Sequence, residues 1–210
     1  MRWVRATAVV LLASATAEAS DWRIDPAHSR VGFTVRHMMI ANVHGAFGKV
    51  EGNIHEDAQD MRRSTVAVVI GVASVDTLEP KRDAQLRSPD FFDAAKFPTM
   101  TFHSTQVSGA GTGKLALSGE LSLHGVTRPI SLEVTWPAQT ARDPVTGARR
   151  RAASARCTLN REDYGLLWNR SMESGGVLVS AEVQINIDLE LVEADPNGVT
   201  AQTGASTPAR

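Results

Sequence analysis

The sequence predicts an all-β fold of eight antiparallel strands, and three observations carry that prediction. Eight segments alternate apolar and polar residues with period two, the mark of strands with one buried face. None of them is apolar on both faces throughout, which argues against a parallel sheet covered by helices. Helix-like segments are scarce, the one good candidate being Glu79 to Leu86.

The strands follow in order. Ser29–His37 places Val31, Phe33 and Val35 on one face, and Phe47–Glu56 sets Val50 and Ile54 against Lys49, Glu51 and His55. Ser64–Ser74 alternates Val66, Val68, Ile70 and Val72, and Thr99–Val107 sets Met100 and Phe102 against Thr101 and His103. Lys114–Leu123, with Leu115, Leu117, Leu121 and Leu123, turns at His124-Gly125 into Arg128–Trp136, with Ile130, Leu132, Val134 and Trp136, and the pair reads as a hairpin. After a turn at Asp143-Pro144-Val145-Thr146-Gly147 come Arg150–Leu159 and Ser180–Val192, the latter presenting Val183, Ile185, Ile187 and Leu189. Pro80 suits the first turn of the helix. Periodicity leaves two solutions open, a two-sheet sandwich or a closed barrel.

The ends read differently from the middle. Arg2 and Arg5 precede an apolar run from Ala6 to Ala13, and Ala17-Glu18-Ala19 has the small residues of a cleavage site, so residues 1–19 are expected to be a secretory signal and the protein periplasmic. Residues 20–193 form one domain. Residues 194–210, rich in Asp, Pro, Asn, Gly, Thr and Ser without periodicity, read as a disordered tail. No later stretch is apolar enough for membrane insertion, and the 22 basic and 23 acidic residues give no footprint for nucleic acid.

Chemistry-bearing patterns are sparse. Cys157 is the single cysteine, so no internal disulfide forms, and it reads as a small half-buried hydrophobe. The histidines, His28, His37, His44, His55, His103 and His124, have no metal-ligand spacing, and no metal or cofactor is expected. Gly109-Ala110-Gly111-Thr112-Gly113 reads as a hairpin loop rather than a phosphate cradle, and Asp90 and Asp93 as turn residues. No catalytic residue is assigned. Tyr164 and Trp168 sit in the loop Tyr164–Asn169 before the last strand, where they either line a barrel mouth or pack outside the sheet.

Asp25-Pro26-Ala27-His28-Ser29, VGFTVRHMM, VHGAFGKVEGNI, the long block SVDTLEPKRDAQLRSPDFFDAAKFPTMTFHS and LSLHGVTRPISLEV together resemble the YceI-like family of exported lipid-binding proteins. The resemblance covers Asp21 to Val192 and is most specific from Arg82-Asp83 to Ser104; Ala138–Ala155 and the tail inherit nothing from it. It implies an eight-stranded lipocalin-like barrel with a short helical insertion near 79–92. The barrel would enclose a tunnel for a polyisoprenoid or other long-chain fatty lipid. On that reading the tunnel is lined by Phe33, Val35, Phe102, Leu121, Leu123, Tyr164, Trp168, Val183 and Ile185. His37, Arg161 and Asn169 are the candidates for a polar head group. An enzyme acting on a lipid-like substrate and a filled barrel with a structural role are the alternatives, and the reading is compatible with a homodimer.

Overall fold

The computed structural model describes residues 19–109, 113–173 and 175–194. Nearly all of the expected signal segment and disordered tail lies outside the described residues. The strands are β1 (Ser20–Ile24), β2 (Arg30–His37), β3 (Ala41–Phe47), β4 (Val50–Glu56), β5 (Thr65–Gly71) and β6 (Val75–Asp76), followed by helix α1 (Pro80–Arg87). Then come β7 (Thr99–Ser108), β8 (Lys114–Leu123), β9 (Val126–Thr135), β10 (Ala141–Arg142), β11 (Arg149–Asn160) and β12 (Val179–Glu193).

These strands reduce to eight continuous paths around a ring. The β2–β3 ladder at Val31↔Phe47 continues across a short break as the β1–β4 ladder at Trp22↔Ile54, and β3–β6 similarly extends β4–β5. Each path then pairs antiparallel with the next, from β5–β7 through β7–β8, β8–β9 and β9–β11. β11 and β12 pair continuously from Arg150↔Val192 to Asn160↔Glu182, and β12 returns to β1 and β2, closing the ring. The choice left open by periodicity is therefore resolved: an eight-stranded antiparallel barrel, not a sandwich, and closure satisfies the edges that a sandwich would expose.

Each expected strand falls on one path, with two shortfalls. The segment expected from Phe47 starts six residues earlier, at Ala41, where β3 has only Val43 as an inward apolar residue before Gly45. No periodicity marks β1, because SDWRI offers only Trp22 and Ile24, yet these are among the buried core residues. In β7 a bulge between Ser104 and Gln106 reverses the phase, so Met100 and Phe102 point inward before it and Val107 after it.

The helix forms where expected. Glu79 caps it, accepting from the Lys81 backbone N–H at 3.1 Å, and Pro80 occupies the first turn. It ends at Arg87, and Ser88–Phe97 continues as turns instead of helix, with Asp93 in the left-handed region at φ 46°. Polar side chains tie α1 to the barrel: buried Asp83 accepts from Thr77 N and Oγ1 at 2.9 and 2.6 Å, while Arg87 donates to the carbonyls of Ala73 and Val75.

Candidate ligand cavity

The barrel is hollow. Inward residues of all eight paths border one cavity of about 380 Å³, within the range of small-molecule sites. Many of its wall residues, among them Phe33, Val35, Val68, Ile130 and Ile187, are only half-buried although they face inward, because they border the cavity instead of packing against side chains across the barrel. Two wall aromatics depend on glycine opposite them. A Cβ at Gly119 would lie 2.5 Å from the Phe102 ring, and one at Gly45 would lie 2.3 Å from the Phe33 ring.

Phe33, Val35, Phe102, Leu121, Leu123, Val183 and Ile185 all lie on this wall, and so do Trp168, His37 and Arg161. Tyr164 and Asn169 do not. Tyr164 closes a short 3-10 turn (Arg161–Tyr164) and is buried in the core, its carbonyl accepting from His124 Nδ1 at 3.1 Å. Asn169 imitates a strand: its Nδ2 donates to Val179 O at 2.8 Å and its Oδ1 accepts from Val179 N at 3.1 Å. Its amide is spent on holding the chain at the start of β12. The wall also contains residues the sequence did not single out, notably Thr77, Arg82 and Gln85 from the α1 insertion and Glu56 at the far end.

The two ends of the cavity have opposite character. At one end Glu56 accepts from Trp22 Nε1 at 2.9 Å, from Trp136 Nε1 at 3.0 Å and from Arg151 at 2.6 Å. The Arg151 guanidinium lies between two indole rings, 4.8 Å from Trp22 and 4.7 Å from Trp136. Burial raises the Glu56 pKa, but the hydrogen bonds from Arg151, Trp136 and Trp22 outweigh it and hold the carboxyl below its usual range. Arg151 Nε is buried without a partner. The group behaves as a plug whose charges cancel.

A detectable signal marked it: Glu56 follows Val50 and Ile54 in the inward phase of β4, and Arg151 precedes Ala153 and Ala155 in that of β11. Two opposite charges in apolar phase at strand ends imply a partner, but nothing local says that the partners are 95 residues apart in the chain.

At the other end the wall carries positive charge. Arg161 is 3 % exposed and donates to three carbonyls, Ser180 O at 3.0 Å, Val179 O at 3.5 Å and Leu166 O, with the Glu162 carboxylate 3.6 Å away. Burial lowers its pKa. Arg82 donates to Thr77 Oγ1 and Thr77 O, both at 2.8 Å. Arg161 is paired with Glu162 and spent on backbone carbonyls, so Arg82 is the wall cation that biases this end of the cavity toward an anionic or strongly accepting group.

Three segments surround this end: the β2–β3 hairpin, the α1 insertion and the 161–178 connection, and the last two touch through the Phe91 and Trp168 rings at 5.2 Å. Met38 and Met39 sit in the hairpin turn at φ 50° and 61°, with Ile40 N donating to His37 O at 3.1 Å. Consecutive positive φ values define a turn that strongly prefers Asn-Gly, so two methionines there cost about 1–3 kcal/mol each.

Elsewhere among the described residues, two groups come closest to reactive chemistry. Cys157 lies on the wall, and burial pushes its thiol up to about 11, so it is protonated and weakly nucleophilic at neutral pH. Asp25, His28 and Glu190 cluster closely enough to suggest a cation site, but Arg150 occupies it, donating to Asp25 at 2.6 Å and Glu190 at 2.5 Å. No helix among the described residues is long and apolar enough to cross a membrane.

Comparison with known proteins agrees with this architecture. Among solved structures, a Campylobacter jejuni YCEI protein superposes with a TM-score of 0.64 at 27 % identity, covering 76 % of this chain and 90 % of its own. Burkholderia cenocepacia BcnA shares the fold at a TM-score of 0.67 and 24 % identity (80 % and 98 % covered). A polyisoprenoid binding domain from Saccharophagus degradans, implicated in plant cell wall breakdown, shares it at 0.58 and 19 % (82 % and 98 %). In sequence, a UPF0312 protein of Pseudomonas savastanoi is 34 % identical over 163 residues, 77 % of this chain and 84 % of that protein. One of Vibrio cholerae is 34 % identical over 161 residues, 76 % and 84 %. The model of the YceI-like domain matches residues 22–191, from the first core tryptophan to the last core leucine of the barrel, and the chain belongs to the YceI-like family.

Proposed function

We propose that this protein is an exported carrier that holds a long-chain amphiphile, an isoprenoid or fatty lipid, with its chain in the barrel and its head at the Arg82–Arg161 end. The observation that carries the reading is the hollow, almost wholly apolar interior, plugged at one end by a neutralised charge cluster. A protein that used this barrel only as a scaffold would fill it, since empty apolar volume costs stability. The Saccharophagus degradans domain with the same fold is a polyisoprenoid binding domain, in line with a chain-shaped ligand.

The energetics suffice. At about 0.8 kcal/mol per buried methylene, roughly ten methylenes supply about 8 kcal/mol, near micromolar affinity before ordering costs. Such burial discriminates weakly among similar chains, so the ligand is a class defined by chain length and head group. Binding rather than turnover fits the wall, whose thiol is protonated and whose Arg161 is committed to backbone carbonyls.

Export is our reading of the amino-terminal segment, and it is supported by the place of β1: cleavage after Ala19 would leave that strand whole from Ser20, which pairs with Glu56. Edman sequencing of protein from the periplasmic fraction should begin at Ser20; a full-length cytoplasmic product would contradict export.

Titration with retinol, a fluorescent isoprenoid alcohol, tests the cavity. Wild-type protein should take up one equivalent, and Phe102→Arg, which puts a charge on the apolar wall, should abolish uptake while the barrel stays folded. Retinol binding equally well to that variant would remove the cavity from consideration. Retinoate should bind about tenfold more tightly than retinol if the positive end receives the head group, and Arg82→Gln should narrow that preference.

A further inference from the structure

The end of the barrel opposite the plug carries exposed apolar side chains on all three segments that surround it. Met38, Met39 and Ile40 form the tip of the β2–β3 hairpin, Leu78 precedes α1, and Leu167 and Val177 lie in the 161–178 connection. Ile40 is 74 % and Leu78 92 % exposed. Among the described residues, the remaining exposed large apolar side chains are isolated: Val69 on the outside of β5 and Val145 at the opposite end.

The rim is continuous with the cavity. Each segment alternates between an exposed apolar residue and a wall residue beside it in the chain: Met38 beside His37, Leu78 beside Thr77, Leu167 beside Trp168 and Val177 beside Leu178. The hairpin and the 161–178 connection also meet directly. Met38 N donates to Leu178 O at 2.8 Å, and the place of a Cβ on Gly176 lies within 3.6 Å of both Met39 and Met172. Backbone conformation holds three of these side chains out: Met38, Met39 and Leu78 all have positive φ, where a non-glycine residue is disfavoured.

We propose that this rim inserts into the surface of a lipid bilayer, and that the cavity loads and unloads there. The inference rests on the carrier reading above, because an amphiphile with a long chain resides in a bilayer and must leave it without exposing that chain to water. A rim that seats in the interfacial layer supplies an unbroken apolar path from bilayer to barrel wall. Scattered apolar tips on separate loops suit a deformable lipid surface, and flexible methionines adapt to it. A protein partner would more readily be met by one flat contiguous patch.

Flotation of the mature protein with vesicles of phosphatidylethanolamine and phosphatidylglycerol tests the rim by itself. Wild-type protein should float, Met39→Asp/Ile40→Asp/Leu167→Asp should lose roughly tenfold or more of the bound fraction, and Val145→Asp should behave as wild type. Retinol transfer from those vesicles should slow in parallel for the rim variant, while its retinol affinity measured in solution stays at the wild-type value. Wild-type protein that stays off the vesicles overturns the proposal, as does a rim variant that transfers retinol at full speed. A rim variant that instead changes sedimentation behaviour shows the rim to be a contact between copies, which also overturns it. Failure to bind retinol in solution defeats the carrier reading alone, since flotation reports the rim without any ligand.

Discussion

The two ends of this barrel solve opposite problems. At the plugged end, four residues from four strands or their edges, Trp22, Glu56, Trp136 and Arg151, satisfy one another almost completely in a buried site. At the open end, the hairpin, the α1 insertion and the 161–178 connection leave apolar side chains in water and hold two methionines in a turn that disfavours them. The first arrangement pairs its charges with each other; the second leaves its groups in surroundings that disfavour them. The difference is intelligible if the plugged end serves the fold and the open end serves an event that happens only at a surface, where the exposed groups find a medium to match them.

Removing Arg151 should break that contrast most severely. Arg151→Ala strands a buried Glu56 carboxylate and should cost about 3–5 kcal/mol in urea denaturation, whereas a loss under about 1 kcal/mol would mean that water reaches the plug. Acid should act on the same end. The Glu56 carboxyl is held below its usual value of 4.5, so its contribution is complete above that pH and disappears as the pH falls through the lower folded value. Thermal melts should therefore decline below about pH 4.5, and Glu56→Gln should flatten the decline along with lowering stability at neutral pH.

At the open end the expected effects are smaller and of opposite sign. Met38→Asn with Met39→Gly gives the hairpin the residues its turn prefers and should stabilise the barrel by about 1–2 kcal/mol; an unchanged midpoint would show that the turn carries no strain. Ile40→Asp should move stability by less than about 0.5 kcal/mol, as an exposed substitution does. Between the ends, maleimide should label Cys157 slowly at neutral pH and faster as the pH approaches the thiol's value of about 11, and bound retinol should protect it. Rapid labelling that retinol leaves unaffected would place the thiol outside the cavity.

The sequence displayed the barrel more fully than it displayed either end. Regular alternation in β5, β8, β9 and β12 makes their inner faces readable, and seven of the nine proposed lining residues, all on strands, plus Trp168 lie on the cavity wall. Tyr164 and Asn169 were misplaced for a physical reason: they belong to a connection without periodicity, where the direction of a side chain depends on contacts with His124 and Val179 that no local pattern encodes. The plug was visible only as two charges in the wrong phase of their strands. The mouth residues Arg82 and Gln85 come from a helix fastened by hydrogen bonds to Thr77 and nearby carbonyls, and Thr77 from the short segment before it, so no amphipathic face pointed to the cavity.

Mass spectrometry of an organic extract from protein purified without detergent asks whether the barrel holds a long-chain molecule. One dominant class of long-chain species, close to one per protein chain, is expected, and it should be lost when Phe102→Arg is purified in the same way. An extract with no such species from a folded wild-type protein that also refuses retinol would contradict the carrier reading.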